Sequence, residues 1–312
     1  MPTVLITGGT GLIGKALSEL LLQKDYQVII LSRTVPDKQT GDSPDLAYAN
    51  WDIARQTVDA AAVQKADYII HLAGAGVADK RWTSKRKKEI INSRIKSSAL
   101  LVKAMTENAN RVKAVISASA IGWYGPDPVI PNPKPFTEND LPANDFLGDT
   151  CKQWEESIEP VTQLGKRLVI LRTGLVLSNA GGALKEFIKP LRFGIAAILG
   201  NGKQIISWIH IDDICRLYLR GIEDESMHGV FNAVAPAAVS NKSLTLQLAK
   251  AIKHSFYIPV YIPSAILKLV LGKMSIEVLK SATVSSAKIK STGFSFIYPT
   301  AESAINQLTG KP

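Results

Sequence analysis

Residues 7 to 14 read TGGTGLIG and follow directly on the apolar run Val4 to Thr7. Glycines at 8, 11 and 14 leave room for a tight turn, a close backbone approach to a ligand and close packing of the next helix. The amphipathic stretch from Leu12 to Gln23 places a helix N-terminus at that loop, where unpaired N–H groups and the helix dipole favour phosphate. The arrangement predicts dinucleotide binding, with Gly8, Thr10, Gly11, Leu12, Ile13 and Gly14 lining the pyrophosphate. A second apolar strand, Gln27 to Leu31, ends in Ser32 and Arg33, where an NAD site would present a carboxylate to the ribose diol. A guanidinium makes charge-assisted bonds to a 2′-phosphate instead and the serine hydroxyl adds a donor, so the expected cofactor is NADP(H).

Other reactive side chains read as structural. Cys151 and Cys215 stand far apart with no CxxC spacing, which implies neither a metal site nor a disulfide scaffold and suits a reducing, cytoplasmic compartment. Cys151 has no histidine near it in sequence and reads as helix packing. His210, Asp212 and Asp213 in SWIHIDDI combine imidazole with carboxylates, but an aspartate is expected to N-cap the helix carrying Ile214, Leu217 and Leu219. Trp208 in the same run is expected to face a substrate cleft, and His71, at a strand end, to be a satisfied core histidine. No metal is expected. The patch Lys80, Arg81, Lys85, Arg86, Lys87, Lys88, Arg94 and Lys96 has no interleaved aromatic platform, so it reads as a solvated helix face rather than a nucleic-acid surface.

The elements that position these residues alternate between strand and helix. Apolar runs at Tyr68 to Leu72, Val112 to Ser117 and Arg167 to Arg172 are interleaved with helices over Ser84 to Glu107 and Thr150 to Leu164. Unbroken apolar strands arise when helices cover both faces of a parallel sheet. The fold class is therefore α/β, a doubly wound, Rossmann-like parallel sheet. After about Gly174 the alternation weakens into glycine turns and a strand at Ile205 to Ile211, which marks a smaller C-terminal α+β substrate lobe over residues 175–312, following a dinucleotide-binding domain over 1–174. The proline-rich stretch from Pro126 to Pro142 is expected to wall or lid the cleft.

With 312 residues, 46% hydrophobic and 21% charged, the chain buries a large core, and its composition excludes a disordered chain. The net charge of +10 favours anionic ligands without choosing among them. No basic leader precedes the first strand. No apolar run reaches the roughly 20 residues of a membrane span; the nearest, Ile258 to Gly272, is broken by Pro259, Pro263 and Lys268 and is expected to be a packed helix.

The glycine loop, with HLAGAGVADKRW (71–82), SRIKSSALLVKAM (93–105), SASAIGWYG (117–125), LRTGLVLS (171–178), GGAL (181–184) and SWIHIDDI (207–214), resembles the extended short-chain dehydrogenase/reductases, and within them an atypical epimerase-like subfamily. The resemblance covers nearly the whole chain, and residues 261–307 resemble that subfamily's C-terminal module. It implies that Leu72, Ala73 and Gly74 run beside the adenosine ribose, that Glu89 and Arg94 lie near the cofactor, and that Leu175 touches its nicotinamide end. Ser119 matches the superfamily's serine after the fifth strand, and Tyr124 follows it in the WYG run; either hydroxyl is a candidate catalytic group facing the nicotinamide and holding a substrate oxygen, the alternative being that both are loop hydroxyls satisfied by backbone. The superfamily's Tyr and Lys, four residues apart, have no counterpart: the best alignment puts Leu147 and Cys151 in their places.

These features lead to an NADP(H)-binding oxidoreductase or epimerase-like enzyme acting on an unidentified small molecule, with an atypical proton donor or solvent. The alternative is a non-catalytic, NADP(H)-dependent sensor. A small-molecule substrate is the expected partner, with neither nucleic acid nor membrane, and a homo-oligomer is compatible with the sequence.

Overall fold

Runs of aliphatic residues with no polar face can be buried only between two layers, and the first half of the chain builds such a sheet. The computed structural model describes residues 1–34, 43–254 and 256–310. Along it, β1 (Thr3–Thr7), α1 (Leu12–Gln23), β2 (Gln27–Ser32), β3 (Leu46–Asp52), β4 (Thr57–Val58), α2 (Ala60–Lys65), β5 (Tyr68–His71), α3 (Ser84–Glu107), β6 (Ala114–Ala120), α4 (Phe146–Ile158) and β7 (Arg167–Thr173) follow in turn. Next come β8 (Leu175–Leu177), α5 (Ala183–Leu191), β9 (Ile195–Leu199), β10 (Ile205–Ile206), β11 (Trp208–His210), α6 (Ile211–Glu223) and β12 (Gly229–Ala233). The chain ends with β13 (Val239–Ser240), α7 (Asn241–Lys253), β14 (Ile258–Ile262), α8 (Ser264–Leu271), α9 (Ser275–Leu279), α10 (Ala287–Ser291) and α11 (Ala301–Leu308).

Eight strands form the main sheet in the order β12-β7-β6-β5-β1-β2-β3-β4, parallel throughout except for β4 against β3. The winding reverses between β1 and β5, which opens a crevice beyond their C-terminal ends. One face is covered by α1 and α6, through Leu17, Leu21, Ile214, Leu217 and Tyr218. The other is covered by α2, α3 and α4, through Val63, Leu100, Leu101 and Ile158. Each such fully buried leucine or isoleucine contributes about 2 kcal/mol. A third core, around Leu184, Trp208, Leu244, Leu248 and Ile305, holds the lobe together.

The α/β expectation holds, with differences of detail that have local causes. Helix α4 begins earlier than expected because the Asp145 carboxylate caps it, accepting from the N–H groups of Leu147 and Gly148. It ends at Ile158, where Pro160 opens a 3₁₀ turn. The strand expected over 205–211 is split at Ser207, whose hydroxyl is drawn to Ala282 and Val284. The division at residue 174 is crossed by α6 and β12, which return to the main sheet. The stretch 258–272 is not a packed helix but β14 followed by α8, with Pro263 between them, and of α8 only Leu267 is buried. Among the described residues no helix is long and apolar enough to cross a membrane. The proline-rich loop is tied down rather than free: Asp127 accepts from the hydroxyls of Ser281 and Thr283.

Candidate functional site

At the crevice, β1 delivers Gly8 into a left-handed turn at φ +71°, and a β-carbon there would lie 2.9 Å from the carbonyl carbon of Leu72. Gly14 sits so close beneath the turn that a β-carbon would be 2.4 Å from the Gly8 carbonyl oxygen. Gly9, which the glycine pattern does not single out, is equally confined, 2.8 Å from the Ile30 side chain. Gly11 differs: it is exposed, and a β-carbon would meet just the Gly8 oxygen, at 3.2 Å. It N-caps α1 with no side-chain hydrogen bond, and the first turn carries no acid. The helix start therefore offers N–H donors without a competing carboxylate, which fits a dinucleotide pyrophosphate.

The neighbouring positions flank this cradle. Thr10 is exposed at the loop tip, while Leu12 and Ile13 are half-buried. Leu12 reaches the lobe, 3.0 Å from where a β-carbon on Gly182 would stand. Arg33 is exposed at the end of β2, and the Ser32 hydroxyl donates to the Thr34 carbonyl at 2.8 Å.

On the other side of β1, the Thr7 hydroxyl accepts from the N–H groups of Leu72 and Ala73, both at 3.2 Å, and lies 2.7 Å from Nδ1 of His71. With its lone pairs so occupied, Thr7 donates its proton to Nδ1, which fixes the imidazole proton on Nε2, 3.1 Å from the Ser98 hydroxyl. Burial, reinforced by the Arg94 charge, pushes the His71 pKa down to about 3, so it is a neutral, satisfied core histidine. Gly74 admits the Arg94 guanidinium, 3.1 Å from its would-be β-carbon. Arg94 donates to the carbonyls of Ala75 and Ile90 and lies 4.7 Å over the Trp154 ring. Glu89 is at the helix surface, paired with Arg86 at 2.8 Å.

The two hydroxyls expected to do chemistry belong to one buried network. Ser119 Oγ donates to Glu155 Oε1 at 2.6 Å. Arg172 clasps the same carboxylate through Nε and Nη2, each at 2.9 Å, and donates through Nη1 to the Tyr124 hydroxyl at 3.1 Å. Tyr124 donates in turn to Asn232 Oδ1 at 2.7 Å. The guanidinium lies 3.6 Å over the Trp123 ring. Burial pushes the Tyr124 pKa up to about 12, so its phenol stays protonated. Sequence reasoning does not reach Glu155, Arg172 and Asn232 as site residues; charged side chains inside the apolar runs of α4 and β7 are the signal that could have found two of them. A groove of about 940 Å³, bounded in part by Trp123, Glu155, Arg172 and Val230, opens beside the network and has no glycine-loop residue in its lining.

Leu147 and Cys151 pack against Gly122, 3.2 Å and 3.6 Å from its would-be β-carbon. Burial, then the Glu155 charge, pushes the Cys151 pKa up to about 12, so the thiol is inert packing. Leu175 is half-buried in β8 and pairs in register with Trp208. Trp208 does not wall a cleft: it is fully buried in the lobe core, its indole N–H donating to the Ala237 carbonyl at 2.9 Å. The cap of α6 is His210 rather than an aspartate, Nδ1 accepting from the Asp212 N–H. Asp213 instead accepts from the N–H groups of Ile297 and Tyr298, both at 2.9 Å. Among the described residues no cluster of His, Cys, Asp or Glu could hold a metal ion.

Two family models match the chain: the NAD dependent epimerase/dehydratase family over residues 4–233 and a domain of unknown function, DUF1731, over 262–308. An epimerase family protein of Staphylococcus saprophyticus is 37% identical over 310 residues, 99% of each chain. The crystal structure of human epimerase family protein SDR39U1 with NADPH superposes with a TM-score of 0.85 at 28% identity, over 99% of both chains. A nucleoside-diphosphate sugar epimerase from Corynebacterium glutamicum, 30% identical, superposes with a TM-score of 0.77 over all of this chain and 59% of its own. The bare helix start beyond β1, the crevice above it and these likenesses agree: the chain belongs to the NAD dependent epimerase/dehydratase family, with the fold of the extended short-chain dehydrogenase/reductases.

Proposed function

We propose that the chain binds NADP(H) and acts as an oxidoreductase or epimerase-like enzyme on a small molecule, without a tyrosine and lysine pair. The observation that carries it is the pairing of an uncapped α1 N-terminus behind Gly8 with Arg33, not a carboxylate, at the end of β2. The similar human protein crystallised with NADPH, which supports the same choice. When bound, a nicotinamide supplies hydride exchange. The N–H groups at the start of α1 hold the pyrophosphate, and Arg33 takes the 2′-phosphate as a charge-assisted partner. The Ser119 proton is directed at Glu155 and the Tyr124 proton at Asn232, so neither hydroxyl offers a free proton in this arrangement. The proton for a substrate oxygen comes from solvent in the cleft.

Calorimetric titration tests the reading. NADPH should bind more tightly than NADH, and Arg33→Ala should remove most of that preference. Equal loss for both nucleotides counts against the 2′-phosphate contact, and no heat with either overturns the whole proposal. A second reading, a nucleotide-dependent sensor, is favoured by Leu147 and Cys151 packed where the proton-handling pair would stand. It predicts nucleotide binding without turnover across a broad panel of carbonyl and sugar-nucleotide substrates.

A further inference from the structure

Buried arginines in this chain have carboxylates beside them, with one exception among the described residues. Arg172 is clasped by Glu155, and Arg86 is paired with Glu89 at 2.8 Å and Asp79 at 3.4 Å. Arg94 is only 9% exposed, yet the ionisable groups that act on it are Cys151 and Arg86, and no carboxylate is among them. The Cys151 thiol stays protonated, because burial holds its pKa up at about 12, and Arg86 adds a like charge. Glu155, one turn further along α4 from Cys151, is committed to Arg172 and Ser119. Of the donors of the Arg94 guanidinium, Nη1 serves the carbonyls of Ala75 and Ile90, while Nε and Nη2 donate to no described residue. A buried charge left without a partner is costly, and such departures from the pairing rule mark functional sites.

The position of this charge in the fold says what it faces. A β-carbon on Gly74, just past the end of β5, would stand 3.1 Å from the Arg94 Cζ and 3.2 Å from Nη2, and the Trp154 ring of α4 backs the guanidinium at 4.7 Å. The charge therefore lies at the C-terminal end of β5, across the switch point from β2. It is felt there: it adds to burial in holding His71 neutral. On the nucleotide reading above, on which this inference rests, Arg33 at the end of β2 takes the adenosine half, and a dinucleotide laid across the switch point carries its nicotinamide half to the β5 and β6 side.

A nicotinamide ring is positively charged when oxidised and neutral when reduced, so a fixed cation beside it acts on one state alone. We propose that Arg94 sets the oxidation state the chain selects: its unpaired charge disfavours NADP⁺, and NADPH is the tightly held form. Whether the chain turns over a substrate or acts as a sensor, it then responds to the reduced cofactor.

NADPH and NADP⁺ share one pyrophosphate and one 2′-phosphate, so the start of α1 and Arg33 contribute equally to both, and the ratio of their dissociation constants isolates the nicotinamide end. Calorimetric titration of the full chain should give NADPH at least about tenfold tighter than NADP⁺. The ratio should hold as salt is raised, since a buried charge is screened far less than the exposed lysines. Arg94→Gln should bring the two constants to within about twofold of each other, and Arg94→Lys, which keeps the charge, should retain the preference, with thermal melting of each variant checking that it folds. Equal affinity of the parent for the two nucleotides overturns the inference, and that result needs no variant. A folded Arg94→Gln that keeps the full preference overturns it too. Both results leave the nucleotide reading standing, whereas a parent that binds neither nucleotide overturns that reading and this inference together.

Discussion

Ser119 and Glu155 meet across 2.6 Å, 36 residues apart in sequence, and that contact joins the end of β6 to α4. Arg172 closes the arrangement by gripping the same carboxylate and the Tyr124 hydroxyl. The network occupies the interior, with the Arg172 side chain 3% and the Glu155 side chain 10% exposed. Breaking one partner therefore leaves an uncompensated charge. Glu155→Gln should cost about 3–5 kcal/mol in urea unfolding, and the paired replacement Glu155→Leu with Arg172→Met should recover at least half of it. A single variant within about 1 kcal/mol of the parent would show that the pair is solvated.

His71 makes the stability pH-dependent. Its pKa is held at about 3 in the folded chain by burial and then by Arg94, against about 6.5 when unfolded. Between these values the unfolded chain takes up a proton that the folded chain refuses. Stability is thus complete above about pH 6.5 and declines as pH falls toward 3, by up to about 1.4 kcal/mol per unit. Unfolding measured at a series of pH values should show this slope in the parent and a shallower one in His71→Gln.

The glycines of the cradle should separate into two classes. A methyl at Gly14 collides with the Gly8 carbonyl at 2.4 Å, so Gly14→Ala should lower the melting temperature and abolish nucleotide binding together. A methyl at Gly11 meets one oxygen at 3.2 Å, so Gly11→Ala should fold like the parent but weaken nucleotide binding about tenfold or more by crowding the phosphates. Identical behaviour of the two variants in thermal scans and titrations contradicts this division.

Asp213 holds the C-terminal module to the main core. Its carboxylate accepts from two backbone N–H groups, of Ile297 and Tyr298, and pairs with Arg216 at 3.0 Å. Asp213→Ala leaves those donors unpaired and should cost about 2–4 kcal/mol, with faster proteolysis near residue 297. Asp212→Ala, at a half-exposed neighbour, should cost under about 1 kcal/mol. Limited digestion of the two variants side by side checks the contrast.

Much of the nucleotide half is legible in the sequence because its requirements are local. The spacing of Gly8, Gly11 and Gly14 behind an apolar strand is a steric statement about one turn, and that Ser32 and Arg33 rather than an acid end the second strand is visible in the sequence itself. His71 reads as core from the strand that carries it. The cap of α6 escapes sequence reasoning because aspartate is the commoner cap, while here the imidazole of His210 reaches the Asp212 N–H and is itself held by Gln307 at 3.0 Å. Trp208 reads as a cleft residue because it precedes charged residues; its parallel pairing with β8 turns it into the lobe core.

The sequence by itself determined the alternation of elements and the glycine spacing at the start of α1, since each is written in residues a few positions apart. Only the tertiary structure decided that Ser119 and Tyr124 are bound into one network with Glu155, Arg172 and Asn232, and that the apolar stripe of α8 faces outward. The reason is physical. Steric and periodic constraints act along the chain, whereas a buried polar group takes whatever partner the neighbouring strands and helices bring to it, and that is settled by the order of the sheet.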